Sequence, residues 1–298
     1  MYFKIIFATF LWGSAFAGAK IGLQHADPLL FSGMRFVLAA IILIPVIFLR
    51  KVNLKEQLKH WRFMLVFAFL QTYIQYGLFF IGINKVPAAT SAILVGSGPL
   101  LIAIMAHFSI KNDKMSFRKI FAIALGLTGV VFISLAKGQM MGNNPNFYIG
   151  VLILLTSTAI GGYTNIMLSK RKEQQISPHL LTAVAHFVGG ILLLISSFIF
   201  EKPQSYNFPT EFWGALLWLA VISSAGFSIW YGLLNRPEVK VSELNMWKFL
   251  IPVFGTALSW LLVKNESPDY PTILGIVVIT AALLLMQLPE SFFRRGKL

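Results

Sequence analysis

The 298 residues are 57% hydrophobic and only 12% charged, with a mean hydropathy of +0.74. A soluble globular chain carries about 25% charged residues, so a water-soluble single-core fold is excluded, while hydrocarbon can receive this much apolar surface. The formal charge of +14 does not mark a nucleic-acid binder, because the basic residues cluster in short segments between apolar runs. With no cysteine there is neither a disulfide framework nor a thiolate metal site.

Ten apolar stretches of near-spanning length follow one another: 4–22, 30–49, 63–84, 88–109, 117–136, 148–168, 178–200, 212–234, 242–263 and 271–288. Crossing hydrocarbon takes about 20 residues at 1.5 Å per residue, and the connections leave no room for a second folded unit. The first stretch is preceded only by Lys4 and followed by Lys20 rather than a small-residue cleavage site, so it reads as a retained helix. Trp12 and Ser14 lie near its middle. The second carries Arg35 near one end, as a structural anchor or pairing group. The third sets Gln71 and Gln75 at i, i+4 on one face, with Thr72 and Tyr76 as a neighbouring pair. Such amides either line a cavity that holds a zwitterion or bond between helices, which contributes about 0.6 kcal/mol on average in membranes.

Pro99 in the fourth stretch and Pro252 in the ninth fall near mid-helix. Each removes a backbone hydrogen bond, so each is a hinge candidate or a static bend. The sixth stretch offers Ser157, Thr158 and Tyr163, with Gly161-Gly162 between them. His107 in the fourth and His186 in the seventh titrate near neutral pH in water and are candidates for coupling; the alternative is plain packing. In the eighth, Ser224, Ser228 and Tyr231 share a face with Phe227 and Trp230 beside it, as a polar and aromatic wall or a tight packing seam. Lys248 lies about six residues, hence about 9 Å, inside the ninth stretch. It either snorkels to the surface or, with Asn245 and Trp247, binds a substrate carboxylate.

The basic residues alternate in sides. One side receives Lys4; Arg50, Lys51, Lys55, Lys59 and Arg62; Lys111, Lys114, Arg118 and Lys119; Lys170, Arg171 and Lys172; Arg236 and Lys240; and Arg294, Arg295 and Lys297. The other receives Lys20, Arg35, Lys85, Lys137, Lys202 and Lys264. This threefold bias predicts ten crossings of a plasma membrane, the bacterial inner membrane in type, with both termini cytoplasmic. Landmarks recur at about 150 residues: Pro28 with Pro178, Asn84-Lys85 with Asn235-Arg236, Pro99 with Pro252, and Gly126 with Gly275. The expected fold is therefore an all-α polytopic membrane protein, its ten helices forming two repeats over 1–138 and 147–288 and a cytoplasmic tail over 289–298. Five helices per repeat is an odd number, so the second repeat is inverted relative to the first, a signature of secondary transporters.

Phe10-Leu11-Trp12-Gly13-Ser14-Ala15-Phe16, then Pro28 and Gly33-Met34-Arg35-Phe36, resembles the Trp-Gly and Arg-Phe pattern of the drug/metabolite transporter superfamily. Ser97-Gly98-Pro99-Leu100-Leu101 and Leu250-Ile251-Pro252-Val253-Phe254 resemble the proline-containing fourth helix of each EamA-type repeat, and Gly126-Leu127-Thr128-Gly129-Val130 the glycine-containing fifth. The resemblance implies a ten-helix carrier, in many members an exporter of amino acids, related metabolites or drugs. One departure stands out: where the family closes the fourth helix of a repeat with Gly-Glu, this chain reads Lys111-Asn112 and Lys264-Asn265, with the acids one place later at Asp113 and Glu266.

There is no GxxxxGK[ST] loop, so the chain is not itself an ATP-driven pump. All eleven acids fall in predicted loops or helix ends, which leaves no intramembrane carboxylate relay. Coupling then falls to a histidine, Lys248 or the substrate itself, with facilitated diffusion and exchange equally open. The leading expectation is a carrier alternating access around a cavity lined by helices 1, 3, 4, 6, 8 and 9. A scaffold or receptor, a passive channel-like facilitator and a membrane enzyme are the alternatives; the short loops argue against a scaffold, and the acid-free helices against an enzyme. No cofactor or metal is expected. The expected partners are a small molecule and membrane lipids, not nucleic acid; a homodimer remains open, though no helix face marks one.

Overall fold

A computed structural model describes residues 1–109, 116–202, 207–239 and 241–288. Lys111, Asn112, Asp113, Lys114, Lys240 and the 289–298 tail, with its Arg294, Arg295 and Lys297, lie outside the described residues. Within the described residues every regular element is helical. The helices are α1 (Tyr2–Gly22), α2 (Pro28–Leu49), α3 (Leu54–Lys85), α4 (Ala88–Ser109), α5 (Phe117–Met140), α6 (Pro145–Ser169), α7 (Pro178–Phe200) and α8 (Thr210–Leu234). These eight are long and apolar enough to cross a bilayer. Two shorter spans follow: α9, in pieces Val241–Met246 and Leu250–Leu262, and α10 (Tyr270–Gln287).

Local chemistry sets the starts. Proline opens α2, α6 and α7 at the first position, where its missing N–H is no loss. Side-chain oxygens of Ser116, Asn144, Ser177 and Asp269 accept first-turn amides of α5, α6, α7 and α10. The helices around the centre depart from regularity for identifiable reasons. In α4, Ser97 interrupts the helix between Gly96 and Gly98, and Pro99 leaves the Val95 carbonyl without its usual donor. In α9, Trp247–Phe249 forms a 3-10 turn just before Pro252, which withholds a donor from the Lys248 carbonyl. This break makes the ninth span shorter than the continuous 242–263 helix expected from hydropathy. The third is longer than expected because it begins ahead of the bilayer-length stretch, and Phe69–Ile74 takes π-helical form within it.

The packing obeys one exchange. α1 lies against α8 as α6 lies against α3, and α1 against α9 as α6 against α4; α2 pairs with α7, α4 with α9, and α5 with α10. Glycines allow the close crossings. A Cβ on Gly13 would come within 2.6 Å of Phe254 Cβ, and one on Gly255 within 2.6 Å of Ala92 Cβ, so α1, α4 and α9 meet almost backbone to backbone. Gly96 likewise has no room for a Cβ against the Pro252 ring, so the two broken helices cross at their breaks. Phe48, Leu49, Phe117, Phe198, Phe200 and Leu261 are exposed, as lipid-facing side chains should be.

One end of the bundle is tied by charge. The Glu201 carboxylate at the end of α7 accepts from the Leu29 and Leu30 amides of α2, at 2.6 and 3.0 Å. Glu266, after α9, accepts from Ala88 and Ala89 of α4 at 2.6 and 2.9 Å. An anion at a helix N-terminus satisfies orphan donors and complements the helix dipole. Lys20 donates to the Ile83 and Val86 carbonyls at 2.9 and 3.1 Å, and Lys137 pairs with Asp269 at 3.0 Å.

Candidate functional site

The helical irregularities surround a central cavity of about 90 Å³, room for several waters. α1 contributes Trp12, Ala15 and Phe16; α2, Arg35; α3, Gln71, Gln75, Tyr76 and Phe79; α4, Val95, Gly98 and Ile102. From the second half come Ser157, Thr158, Gly161 and Asn165 of α6, Phe227 and Trp230 of α8, and Lys248 and Ile251 of α9. Among these described lining residues there is no carboxylate.

The polar groups are held by neighbours. Gln71 accepts a short hydrogen bond from Thr164 Oγ1. The Gln75 backbone carbonyl accepts from Ser157 Oγ at 2.8 Å, while its Oε1 has no partner. Gly161 makes room for that amide, since a Cβ there would lie 2.6 Å from Gln75 Nε2. Asn165 donates to Asn245 Oδ1 at 3.1 Å, and Asn245 in turn donates to the Val241 carbonyl at 2.9 Å. Arg35, 1% exposed, donates from Nε to Ser223 Oγ at 2.8 Å, leaves Nη1 without a partner, and lays its guanidinium against Phe36, Tyr76 and Phe80. The Lys248 ammonium sits 5.0 Å from the Trp230 ring centre and 5.6 Å from that of Trp12.

The structure therefore brings Trp12, Gln71, Gln75, Tyr76, Ser157, Phe227 and Lys248 around one space, and adds Arg35, which the sequence suggested only as a structural group. It puts other candidates elsewhere. Ser14 donates to the Leu11 carbonyl and accepts from Trp218 Nε1, facing α8. Ser224 bonds back to the Val221 carbonyl. Tyr163 is half exposed, and Tyr231 is buried against Phe67 and Phe227 with its hydroxyl unpartnered. Ser228 borders a separate cleft with Lys4, Arg50, His179 and Arg236. Asn245 stands behind Asn165, and Trp247 packs on Tyr2. His186 is fully buried behind the wall, its ring nitrogens 3.4 Å from Thr72 Oγ1 and the Ser223 carbonyl and its ring against Phe36 and Phe227. His107 lies near the end of α4 beside Phe108. Pro99 and Pro252 are each adjacent in sequence to a lining residue, Gly98 and Ile251.

Thr158, offered by the sequence beside Ser157, also lines the cavity, whereas Asn165 and Gly161 are binding positions that the sequence reading does not single out. Their signal was available, because Ser157, Gly161 and Asn165 recur at i, i+4, i+8 along one face of α6. Tyr163, two residues beyond Gly161, points to the opposite side.

A model of the EamA-like transporter family matches residues 1–135 and 148–288, almost the whole chain. The chain belongs to that family. Among similar proteins, an uncharacterized transporter of Bacillus subtilis, YoaV, is 27% identical over 282 residues, covering 94% of each chain. An S-adenosylmethionine/S-adenosylhomocysteine transporter of Chlamydia trachomatis serovar L2 is 25% identical over 305 residues, covering 99% of this chain and 90% of its own. A solved crystal structure with 18% identity superposes with a TM-score of 0.72 over 94% of this chain and 95% of the other, which establishes likeness of fold. The chain is accordingly an EamA-type membrane transporter and not an enzyme.

Proposed function

We propose that this EamA-like protein is a secondary carrier that exports small amphipathic metabolites bearing a carboxylate, amino acids and their relatives among them. It works by alternating access in a plasma membrane, with both termini cytoplasmic. The observation that carries this reading is the cavity itself. Amides, hydroxyls, two cations and aromatic rings from both halves of the chain converge at the breaks of α4 and α9 and beside the π-turn of α3. Polar groups are costly in hydrocarbon unless they face a partner or a cavity, and irregular backbone at depth is tolerated where it lines one. In this reading Pro99 and Pro252 are the hinges about which one half rocks against the other. The name of the chlamydial relative supports a substrate of this kind, since both of its compounds combine an amino-acid end with a flat ring system.

Purified protein in proteoliposomes, assayed by counterflow with a panel of amino acids, organic acids, amines and nucleosides, tests the reading. Saturable exchange of at least one compound is expected. No flux of any compound, with or without ion gradients, sinks it.

A further inference from the structure

Two cations border the cavity, and none of the described lining residues carries a negative charge. Arg35 is almost fully buried with Nη1 unpartnered, and Lys248 has aromatic rings rather than a carboxylate around its ammonium. A desolvated cation without a counter-charge is unfavourable, and ring faces offset only part of that. The polar atoms left unpartnered beside the cavity lean the same way. Arg35 Nη1, Trp12 Nε1 and Trp230 Nε1 are all donors, and the exception, Gln75 Oε1, belongs to an amide that presents donors when flipped.

An aromatic path joins the cations. Lys248 rests on Trp12 and Trp230; Trp12 meets Phe227 at 5.4 Å; Phe227 meets Tyr76 at 5.7 Å; and Tyr76 lies 5.4 Å from the Arg35 guanidinium. The Trp12, Trp230 and Tyr76 rings, the best surfaces on which to hold a substrate ammonium, are already in contact with the protein's own cations. An incoming amine would find like charge at both ends and no acid to receive it.

Resting on the carrier reading, we infer that within that class the preferred substrate is an organic acid of net negative charge, without a compensating ammonium. Its carboxylate supplies the counter-ion missing from Arg35 and Lys248, and its apolar or flat body lies along the aromatic path.

Three compounds of one skeleton test this on the full-length protein in proteoliposomes: 3-phenylpropionate, phenylalanine and phenethylamine. Binding is read by tryptophan fluorescence and transport by counterflow, with aliphatic acids, amino acids and amines as a parallel series. The acid is expected to bind at least about tenfold more tightly than the amino acid, and the amine not to bind saturably. Lys248→Gln should weaken acid binding about tenfold or more without strengthening discrimination against the amine, while Lys248→Arg retains the preference. Equal binding of all three compounds, or preference for phenylalanine or phenethylamine, overturns the inference and leaves the carrier reading standing. Acid binding unchanged in a correctly inserted Lys248→Gln protein also overturns it. If nothing in either series binds or moves, both readings fall together.

Discussion

Glu266 is the residue whose placement the sequence could state but not interpret. In place of a Gly-Glu closure the chain has Asn265-Glu266, and the structure divides the work between them. Asn265 adopts a left-handed backbone with φ 66°, a conformation Asn tolerates better than most residues, and so turns the chain just after α9, where the Glu266 amide bonds back to the Val263 carbonyl. Glu266 then reaches Ala88 and Ala89 across the bundle, as Glu201 reaches Leu29 and Leu30. Each carboxylate satisfies two first-turn amides at once. Replacing Glu266 by Ala leaves those donors unmatched, and loss of such a cap costs about 1–2 kcal/mol. The thermal midpoint of the detergent-purified E266A protein, followed by tryptophan fluorescence, should fall accordingly. Glu266→Gln should lie between, because an amide offers one acceptor oxygen where a carboxylate offers two. An unchanged midpoint for E266A would show that the bidentate contact contributes nothing to stability.

At the scale of elements, α3 and α6 show what period reading reaches. Gln71 and Gln75 are legible as one face of a helix, and the structure keeps them together beside the cavity. The π-turn over Phe69–Ile74 is not legible, because no proline or glycine marks it and only tertiary packing decides it. On α8, Ser224, Ser228 and Tyr231 do share a stripe, but the neighbouring Phe227 and Trp230 reach the cavity, since a period fixes which residues go together and not which way the helix is turned. Arg35, expected as an anchoring or pairing group, does pair with Ser223, but its place beside the cavity is hidden for a related reason. Its depth along α2 is readable, whereas the rings of α3 that receive it are 41 to 45 positions away in sequence, at Tyr76 and Phe80. The contact of α6 with α3 makes its own prediction. Gly161→Ala would thrust a methyl against the end of the flexible Gln75 side chain, which can swing aside. Insertion and thermal midpoint should therefore change little, while counterflow drops several-fold as the amide is displaced into the cavity; wild-type flux in this variant would remove Gln75 from the site.

The whole molecule adds a relation that no single element carries. Every principal helix contact is preserved when α1–α5 are exchanged with α6–α10. Each set has five members, so under the proposed orientation the two sets cross the membrane in opposite senses, and the α5–α6 and α6–α7 loops face opposite sides. The expected sides rest, Arg35 apart, on basic residues in loops and at helix ends, so an orientation can be proposed from a sequence when a cavity wall cannot: it depends on where each charge falls between crossings and not on contacts. The chain has no cysteine, so single cysteines report without background. Met141→Cys, exposed beyond the end of α5, should react with a membrane-impermeant maleimide added to intact cells. Glu173→Cys, exposed between α6 and α7, should react only after the membrane is opened. The reverse pattern would turn the carrier over and with it the direction of export. Equal labelling of both sites in intact cells would mean that the threefold bias fails to fix one orientation, as in a chain that inserts both ways.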